Sequence, residues 1–367
     1  MKKPVSFRSA LIFGGAGFIG SNWVHHLLKT TDARIHIFDN LSRRGVHHNL
    51  EWLRRECIDS ERLKITIGDV RDAALVERAV QNATEIYNFA AQVAVTSSVA
   101  DPKTDFEINA LGTLNILEAA RKSGRQPFLL FTSTNKVYGD LASKQLVLAG
   151  KRYCALDERG VNESQPLDLY SPYGCSKGAA DQYVHDYSRM FALPTVVFRM
   201  SCIAGPQQFG NEDQGWVAHF LYSALENKPL TIYGDGRQVR DVLSVKDLVL
   251  AFEKVRGQVE KTAGQIYNVG GGISNSASLL EVIEIIEQIT GNRLRYSLQR
   301  PRPGDQLYYV TDFDKLTKHT GWRPKISVSQ NIEMIWNWWK GQRVQTEVIP
   351  ISRRSQPALE QIPEAAS

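Results

Sequence analysis

The chain has 367 residues, 43% of them hydrophobic and 23% charged, which suits a soluble globular protein of one large or two medium domains. Its formal net charge of +5 is spread along the sequence without a Lys/Arg block, which argues against nucleic acid as a partner and leaves room for an anionic small substrate. No run of about 18 apolar residues is present to span a membrane, so no membrane partner is expected.

The opening, MKKPVSFRSALIFGG, has the basic start and apolar stretch of a signal peptide. The stretch is short and runs into a glycine loop, as a first strand does. Ala10-Leu11-Ile12-Phe13 is that strand, GGAGFIG the loop, and Ser21 to Lys29 an amphipathic helix. Arg34 to Phe38 forms a second strand ending in Asp39, and Lys64 to Ile67 a third ending in Gly68-Asp69. Glu85 to Phe89, Phe128 to Thr132 and Pro194 to Arg199 follow, with a helical pattern from Ala110 to Lys122 among them. Such alternation argues for a parallel sheet covered on both faces. The later chain is richer in turns, and Leu279 to Thr290 has a helical apolar pattern. The fold class is therefore α/β: a Rossmann-type doubly wound parallel sheet with a smaller C-terminal α/β substrate lobe. Residues 1–200 are expected to form the sheet domain, with returning segments near 235–270. Residues 201–345 form the lobe, and 346–367, polar and Pro-containing, a disordered tail.

Gly14, Ala16, Gly17, Phe18, Ile19 and Gly20 lie in a GxxGxxG loop between strand and helix. Glycines there let the backbone approach a pyrophosphate seated on the helix N-terminus. Asp39 ends the next strand about 20 residues on, where a carboxylate can accept bonds from both ribose hydroxyls. That charge would repel a 2′-phosphate and favours NAD, although Arg43 and Arg44 beside it keep NADP open. Asn40, Ser42 and Arg43 follow Asp39. Asp69 with Val70 ends the third strand, where a carboxylate can meet the adenine amino group. Ala90, Ala91 and Gln92 follow the fourth, and Thr132 closes the fifth. Together these are the expected cofactor-binding residues, along with Tyr173 and Lys177.

Tyr173 and Lys177, at i and i+4, share one face of a helix. An ammonium beside a buried phenol is expected to lower its pKa toward working pH, so that phenolate can take a proton from a substrate hydroxyl. Thr134, at the end of the intervening strand, would share that hydroxyl's bond. The next two residues, Asn135 and Lys136, are an amide and a cation where acid–base chemistry would want carboxylates.

These strings resemble the extended short-chain dehydrogenase/reductases that act on nucleotide sugars. GGAGFIG, Asp39 to Arg43, Gly68-Asp69-Val70, Asn109 to Thr113, SPYGCSK and Arg240-Asp241-Val242 carry the likeness, which runs from about Arg8 to Trp339. A closer likeness is to the CDP-paratose 2-epimerases, also called CDP-tyvelose 2-epimerases. It rests on Thr132 to Asp140, Arg152-Tyr153, SPYGCSKGAADQY and Asp213-Gln214-Gly215-Trp216-Val217. In related 4,6-dehydratases the two residues after the threonine are Asp and Glu, which expel water from the sugar. With Asn135 and Lys136 there instead, the resemblance implies oxidation without elimination. It further implies a tightly bound NAD regenerated each turnover, a CDP-sugar as substrate and a homo-oligomer, dimer or tetramer. Thr134, Asn135, Ser201, Gln208, Arg240 and Arg302 are the expected substrate-binding residues. The two arginines can grip a diphosphate, Arg302 from the RPRPGD stretch. Two departures stand out: many relatives have Asn at Cys202 and Arg at Gln207.

Other features have plainer readings. The four cysteines, Cys57, Cys154, Cys175 and Cys202, form no CxxC pair and suggest reduced thiols in the cytoplasm. His25-His26 and His47-His48 lack a third ligand at metal spacing, so no metal is expected. Met334 to Trp339 reads as a helix packing on the lobe rather than a carbohydrate-stacking patch. Leu114 to Ala120 fits an oligomer face or plain core, and Lys136 fits an outward, loop-supporting residue or a substrate contact. Two alternatives to 2-epimerisation stay open: another nucleotide-sugar 4-epimerase or reductase, and a non-catalytic dinucleotide-binding sensor.

Overall fold

The computed structural model describes residues 8–157, 160–302 and 304–347. Seven parallel strands form the central sheet, in the spatial order Gln265–Val269, Thr195–Met200, Phe128–Thr134, Glu85–Asn88, Ser9–Phe13, Arg34–Asp39 and Leu63–Ile67. The chain starts in the middle, winds to one edge, then crosses back and winds to the other, as a doubly wound sheet does. The expected Rossmann-type parallel sheet is thus present, and the segment expected to return near 235–270 supplies its last strand.

Side chains of the central strands alternate between two cores, as a period of two requires. Ala10, Ile12, Leu130, Val196 and Phe198 face one core with Trp23, Leu27 and Phe252. Leu11, Phe13, Leu129, Phe131 and Val197 face the other with Ile116, Leu117 and Val184. Both faces are covered, which is why these strands read as continuous apolar runs. Leu316 and Trp322, far along the chain, also join the first core.

The C-terminal part builds smaller sheets. Val239–Ser244 pairs with Cys202–Ala204, Ser276–Ser278 and Tyr308–Tyr309, and Leu230–Tyr233 pairs with Tyr296–Gln299. Helix Leu279–Thr290 matches the expected bounds because both ends are signalled: Ser278 and Glu281 form a capping box, and Gly291 is left-handed. A hairpin from earlier in the chain, Leu146–Ala149 with Arg152–Ala155, also docks here. Arg152 Nη2 donates to Ser276 Oγ at 2.6 Å, and Tyr153 OH to Asp235 at 2.9 Å. The Trp336, Trp338 and Trp339 segment packs against the lobe core, with Trp339 stacked 4.2 Å from Tyr222. Helix packing is therefore the correct reading of that stretch. Its helix, Val328–Glu347, covers the first two residues of the expected tail, and the rest of the tail lies outside the described residues.

Candidate active site

The glycine loop joins Ser9–Phe13 to the helix Phe18–Thr30. Gly14 has φ +73°, and a Cβ there would lie 2.8 Å from the Ala90 nitrogen. At Gly20 a Cβ would lie 2.2 Å from the Gly14 carbonyl oxygen. Only glycine lets the loop close against both the neighbouring strand end and its own helix. Gly14, Gly17, Phe18, Ile19 and Gly20 line a cleft along the carboxyl ends of the strands. Ala16 stands behind it, fully buried, its N–H donated to Asp39 Oδ2 at 3.0 Å.

Asp39, Asn40, Ser42 and Arg43 line the same cleft, as do Asp69, Val70, Ala90, Ala91, Thr132, Tyr173, Lys177 and Gln208. Asp39 is nearly buried, and burial raises its pKa against the opposing N–H bonds from Leu41 and Ala16. Asp69 differs: bonds from Arg71 hold its carboxyl down at about 2, and Asn40 Nδ2 adds a contact at 3.1 Å. Gln92 is not on the wall. Its carboxamide is folded inward, donating to the Ala94 carbonyl at 2.7 Å and to Asp105 at 3.1 Å. Buried oxygens of Asn49, Ser133, Gln207 and Gln208 line the cleft and lack a partner among the described residues. Unsatisfied buried polar atoms beside a glycine cradle are what a polar ligand would satisfy. The glycine cradle and these free acceptor oxygens therefore fit a dinucleotide, whose hydroxyl and amide groups can donate to them.

Tyr173 and Lys177 sit on the helix Ser171–Phe191, 8% and 3% exposed. Ser171 opens this helix at φ +73°, an unusual conformation for a residue with a side chain, and the N–H of Tyr173 donates to Ser98 Oγ at 3.1 Å. Burial pushes the phenol up to about 12; a bond with Thr134 opposes this and the charge of Asp105 adds to it. The expected lowering by Lys177 is not found. Lys177 Nζ instead donates to the Thr132 carbonyl at 2.6 Å and lies 4.2 Å over the Phe131 ring. Its own pKa falls to about 7 through burial, with Asp181 and Asp105 opposing. Both members of the pair are buried, so each is pushed toward its neutral form.

Asp105 has no signal in local sequence that would have singled it out. It is 1% exposed and accepts from Ser176 Oγ at 2.5 Å and from Asn109 Nδ2 at 3.1 Å. Asn109 lies in a π-helical turn, Glu107–Leu111, between the helices Pro102–Phe106 and Gly112–Lys122. That turn replaces the first residues of the continuous helix expected from Ala110, and such turns recur at functional sites.

Beyond Thr134 the polar residues form a second layer. Asn135 Nδ2 donates to Gln306 Oε1 at 3.2 Å. Lys136 does not point outward: its Nζ lies 3.5 Å from Asp305 Oδ1, which also accepts from Arg240 Nη2 at 2.7 Å. Burial pushes Asp305 up, but the charges of Arg240 and Lys136 outweigh it and hold the carboxyl below its usual range. Ser201 Oγ is turned onto Asp241, donating to its carbonyl at 2.8 Å. Arg302 stacks 3.9 Å over Tyr233 and pairs with Glu212 and Asp213 at 3.3 and 3.4 Å. Trp216 Nε1 donates to Cys202 Sγ at 3.2 Å, which accounts for a cysteine in this wall. Thr134, Asn135, Ser201, Arg240 and Arg302 thus stand outside the lining of the dinucleotide cleft. Among the described residues, no group of three or more His, Cys, Asp or Glu side chains is placed to hold a metal ion.

Residues 11–335 match the family model described as GDP-mannose 4,6 dehydratase. The chain belongs to this family. It is 42% identical over 336 residues to the CDP-paratose 2-epimerase of Salmonella typhi, covering 89% of this chain and 98% of that protein. To the dTDP-glucose 4,6-dehydratase of Shigella flexneri it is 32% identical over 352 residues, covering 90% and 92%. Among solved structures, the Thermus thermophilus UDP-glucose 4-epimerase complex with NAD matches with a TM-score of 0.75 and 32% identity, over 91% of this chain and 99% of that one. The Bacillus cereus UDP-glucuronic acid 4-epimerase complex with UDP-glucuronic acid and NAD matches with a TM-score of 0.77 and 25% identity, over 91% and 99%. The likeness to extended short-chain dehydrogenase/reductases of nucleotide sugars is borne out. Although the GDP-mannose 4,6 dehydratase family is named for water elimination, this member carries an amide and a cation at Asn135 and Lys136.

Proposed function

We propose that the protein is an NAD-dependent isomerase that inverts C2 of a CDP-sugar, converting CDP-paratose to CDP-tyvelose through a transient 2-keto sugar. The observation that carries this reading is the identity and placement of Asn135. It follows Thr134 beside the Tyr173 and Lys177 pair, and as an amide it cannot supply the acid that elimination needs. The likeness to CDP-paratose 2-epimerase over 89% of the chain supports the choice of sugar and base.

The glycine loop and Asp39 would hold NAD, with Lys177 and Tyr173 beside its nicotinamide end. When bound, NAD supplies positive charge and a reversible acceptor for the hydride of C2. Tyr173, as phenolate, takes the proton of the C2 hydroxyl. The keto sugar then turns in the pocket and is reduced on its other face, and Tyr173 gives the proton back. Thr134 shares the bond of the reacting hydroxyl. Arg240, released from Asp305, and Arg302 would hold the diphosphate, while Asn135, Ser201 and Gln208 contact the sugar nucleotide. Exposed Val99, Phe106 and Met190, on helices that pack together, support a homo-oligomer. The absence of a long apolar helix among the described residues fits the cytoplasmic location read from the thiols.

The test is proton NMR of the purified protein with CDP-paratose and no added NAD. Appearance of the inverted H2 coupling pattern supports the reading, and an unchanged spectrum overturns it. A second reading, 4-epimerisation, is favoured by the likeness to UDP-glucose 4-epimerase, because Thr134, Tyr173 and Lys177 serve C4 equally well. The same assay on UDP- and dTDP-sugars separates it from the first, and inertness toward all three sets leaves a dinucleotide-binding protein without catalysis.

A further inference from the structure

Lys136 and Arg240 share one carboxylate. Asp305 Oδ1 accepts from Arg240 Nη2 at 2.7 Å and lies 3.5 Å from Lys136 Nζ. Two cations on one carboxylate leave the cluster a net positive charge, which suits an incoming anion. The backbones that carry the three groups are tied together. Lys136 lies in the short turn Asn135–Tyr138. Fully buried Gln306 clamps that turn to the Asp305 segment: its Nε2 donates to the Gly139 carbonyl at 2.6 Å, and its Oε1 accepts from Asn135 Nδ2 at 3.2 Å. Arg240 lies on the strand Val239–Ser244, which pairs with Tyr308–Tyr309, and its Nη1 donates to the Val239 carbonyl at 2.8 Å. Asp305 is the most exposed of the three, at 32% against 21% for Lys136 and 8% for Arg240, so its carboxylate has the most room to turn.

In the proposed reaction Arg240 leaves Asp305 for the diphosphate. A carboxylate left unpaired beside that anion would repel it. Among the described residues, Lys136 is the other cation within ion-pair reach of Asp305, and Asp305 is the only carboxylate within reach of the Lys136 ammonium. Arg302 is committed elsewhere, to Glu212 and Asp213. Burial and the charge of Arg240 lower the Lys136 pKa, and Asp305 opposes them. Full possession of Asp305 would therefore favour the charged ammonium.

We propose that Lys136 is a positioning residue for the diphosphate: it takes Asp305 over from Arg240 and so frees the guanidinium for the phosphates. This rests on Arg240 binding the diphosphate and is independent of which carbon of the sugar reacts. The inward turn of Lys136 then has a task, and that task involves no direct contact with substrate.

Calorimetric titration of the full chain with CDP tests the hand-over, because CDP carries the diphosphate without the sugar. Lys136→Met keeps the aliphatic stem and removes the charge, with Lys136→Leu in reserve should it fail to fold. Thermal unfolding checks that each variant is folded. Asp305 would then keep Arg240, and Kd for CDP should rise by about tenfold. Asp305→Asn removes the competing charge and should bind CDP at least as tightly as the wild type. In that background Lys136→Met should cost less than about twofold, because the two residues act through one pair. An equal loss in both backgrounds would mean that Lys136 touches the phosphates itself, and it overturns the hand-over. Unchanged affinity in folded Lys136→Met, or weaker binding in Asp305→Asn, overturns it as well. Arg240→Ala separates the two levels. If it leaves CDP binding intact, the assignment of Arg240 to the diphosphate falls and the hand-over with it. If it weakens CDP while Lys136→Met does not, the hand-over alone fails.

Discussion

Lys177 donates its ammonium to the Thr132 carbonyl at 2.6 Å, one helical turn from Tyr173. The contact ties the helix Ser171–Phe191 to the end of the strand Phe128–Thr134, which carries the hydroxyl of Thr134 proposed to share the substrate's bond.

Burial at this spot lowers the Lys177 pKa from 10.5 to about 7. Between those values the unfolded chain holds a proton that the folded site releases. Stability contributed by this group therefore rises with pH from about 7 to about 10.5 and is penalised below that window. Lys177→Met should flatten the rise. Urea unfolding at several pH values across the window checks this, and a slope equal to that of the wild type would count against a buried, shifted ammonium.

Tyr173→Phe keeps the buried ring and removes the proton carrier. Turnover should fall by about 100- to 10,000-fold, the usual range for a positioned acid–base group. KM for the nucleotide sugar should change little, since the ring still fills its place. Steady-state kinetics on CDP-paratose separate the two constants.

How much of this was legible in the sequence follows from what is local and what is not. The glycine loop, the acidic strand ends at Asp39 and Asp69, and the helix Leu279–Thr290 were legible because each is signalled within a few neighbouring residues. The pairing of Asn135 with Gln306 spans 171 residues, and no periodicity encodes it. Asp105 reaches the helix Ser171–Phe191 through Ser176, 71 residues on. The inward turn of Lys136 depends on Asp305, brought across by the lobe. Residue types single out the Tyr173 and Lys177 pair, and the structure buries both beside the cleft, but their electrostatics depend on that burial, which spacing does not reveal.

Arg240 is 7% exposed and pairs with Asp305 at 2.7 Å. If that guanidinium passes to the substrate diphosphate, Arg240→Ala removes a charge-assisted contact of about 1.5–3 kcal/mol. KM should rise by about 10- to 100-fold with a smaller change in kcat. Equal losses in a sugar lacking the nucleotide would show that the arginine acts elsewhere.

Asp39 accepts N–H bonds from Ala16 and Leu41 at 3.0 and 2.9 Å while facing the cleft. Asp39→Asn should lose one ribose acceptor and its negative charge. The NAD retained through purification should fall, by about tenfold in affinity, and tolerance of NADP should rise. Chromatography of the nucleotide released on denaturation gives both quantities.

The most direct measurement uses CDP-paratose carrying deuterium at C2, turned over in ordinary water. Internal return of the same hydride predicts CDP-tyvelose with the deuterium still at C2. Product with hydrogen at C2, or no product at all, would contradict transient oxidation at that carbon.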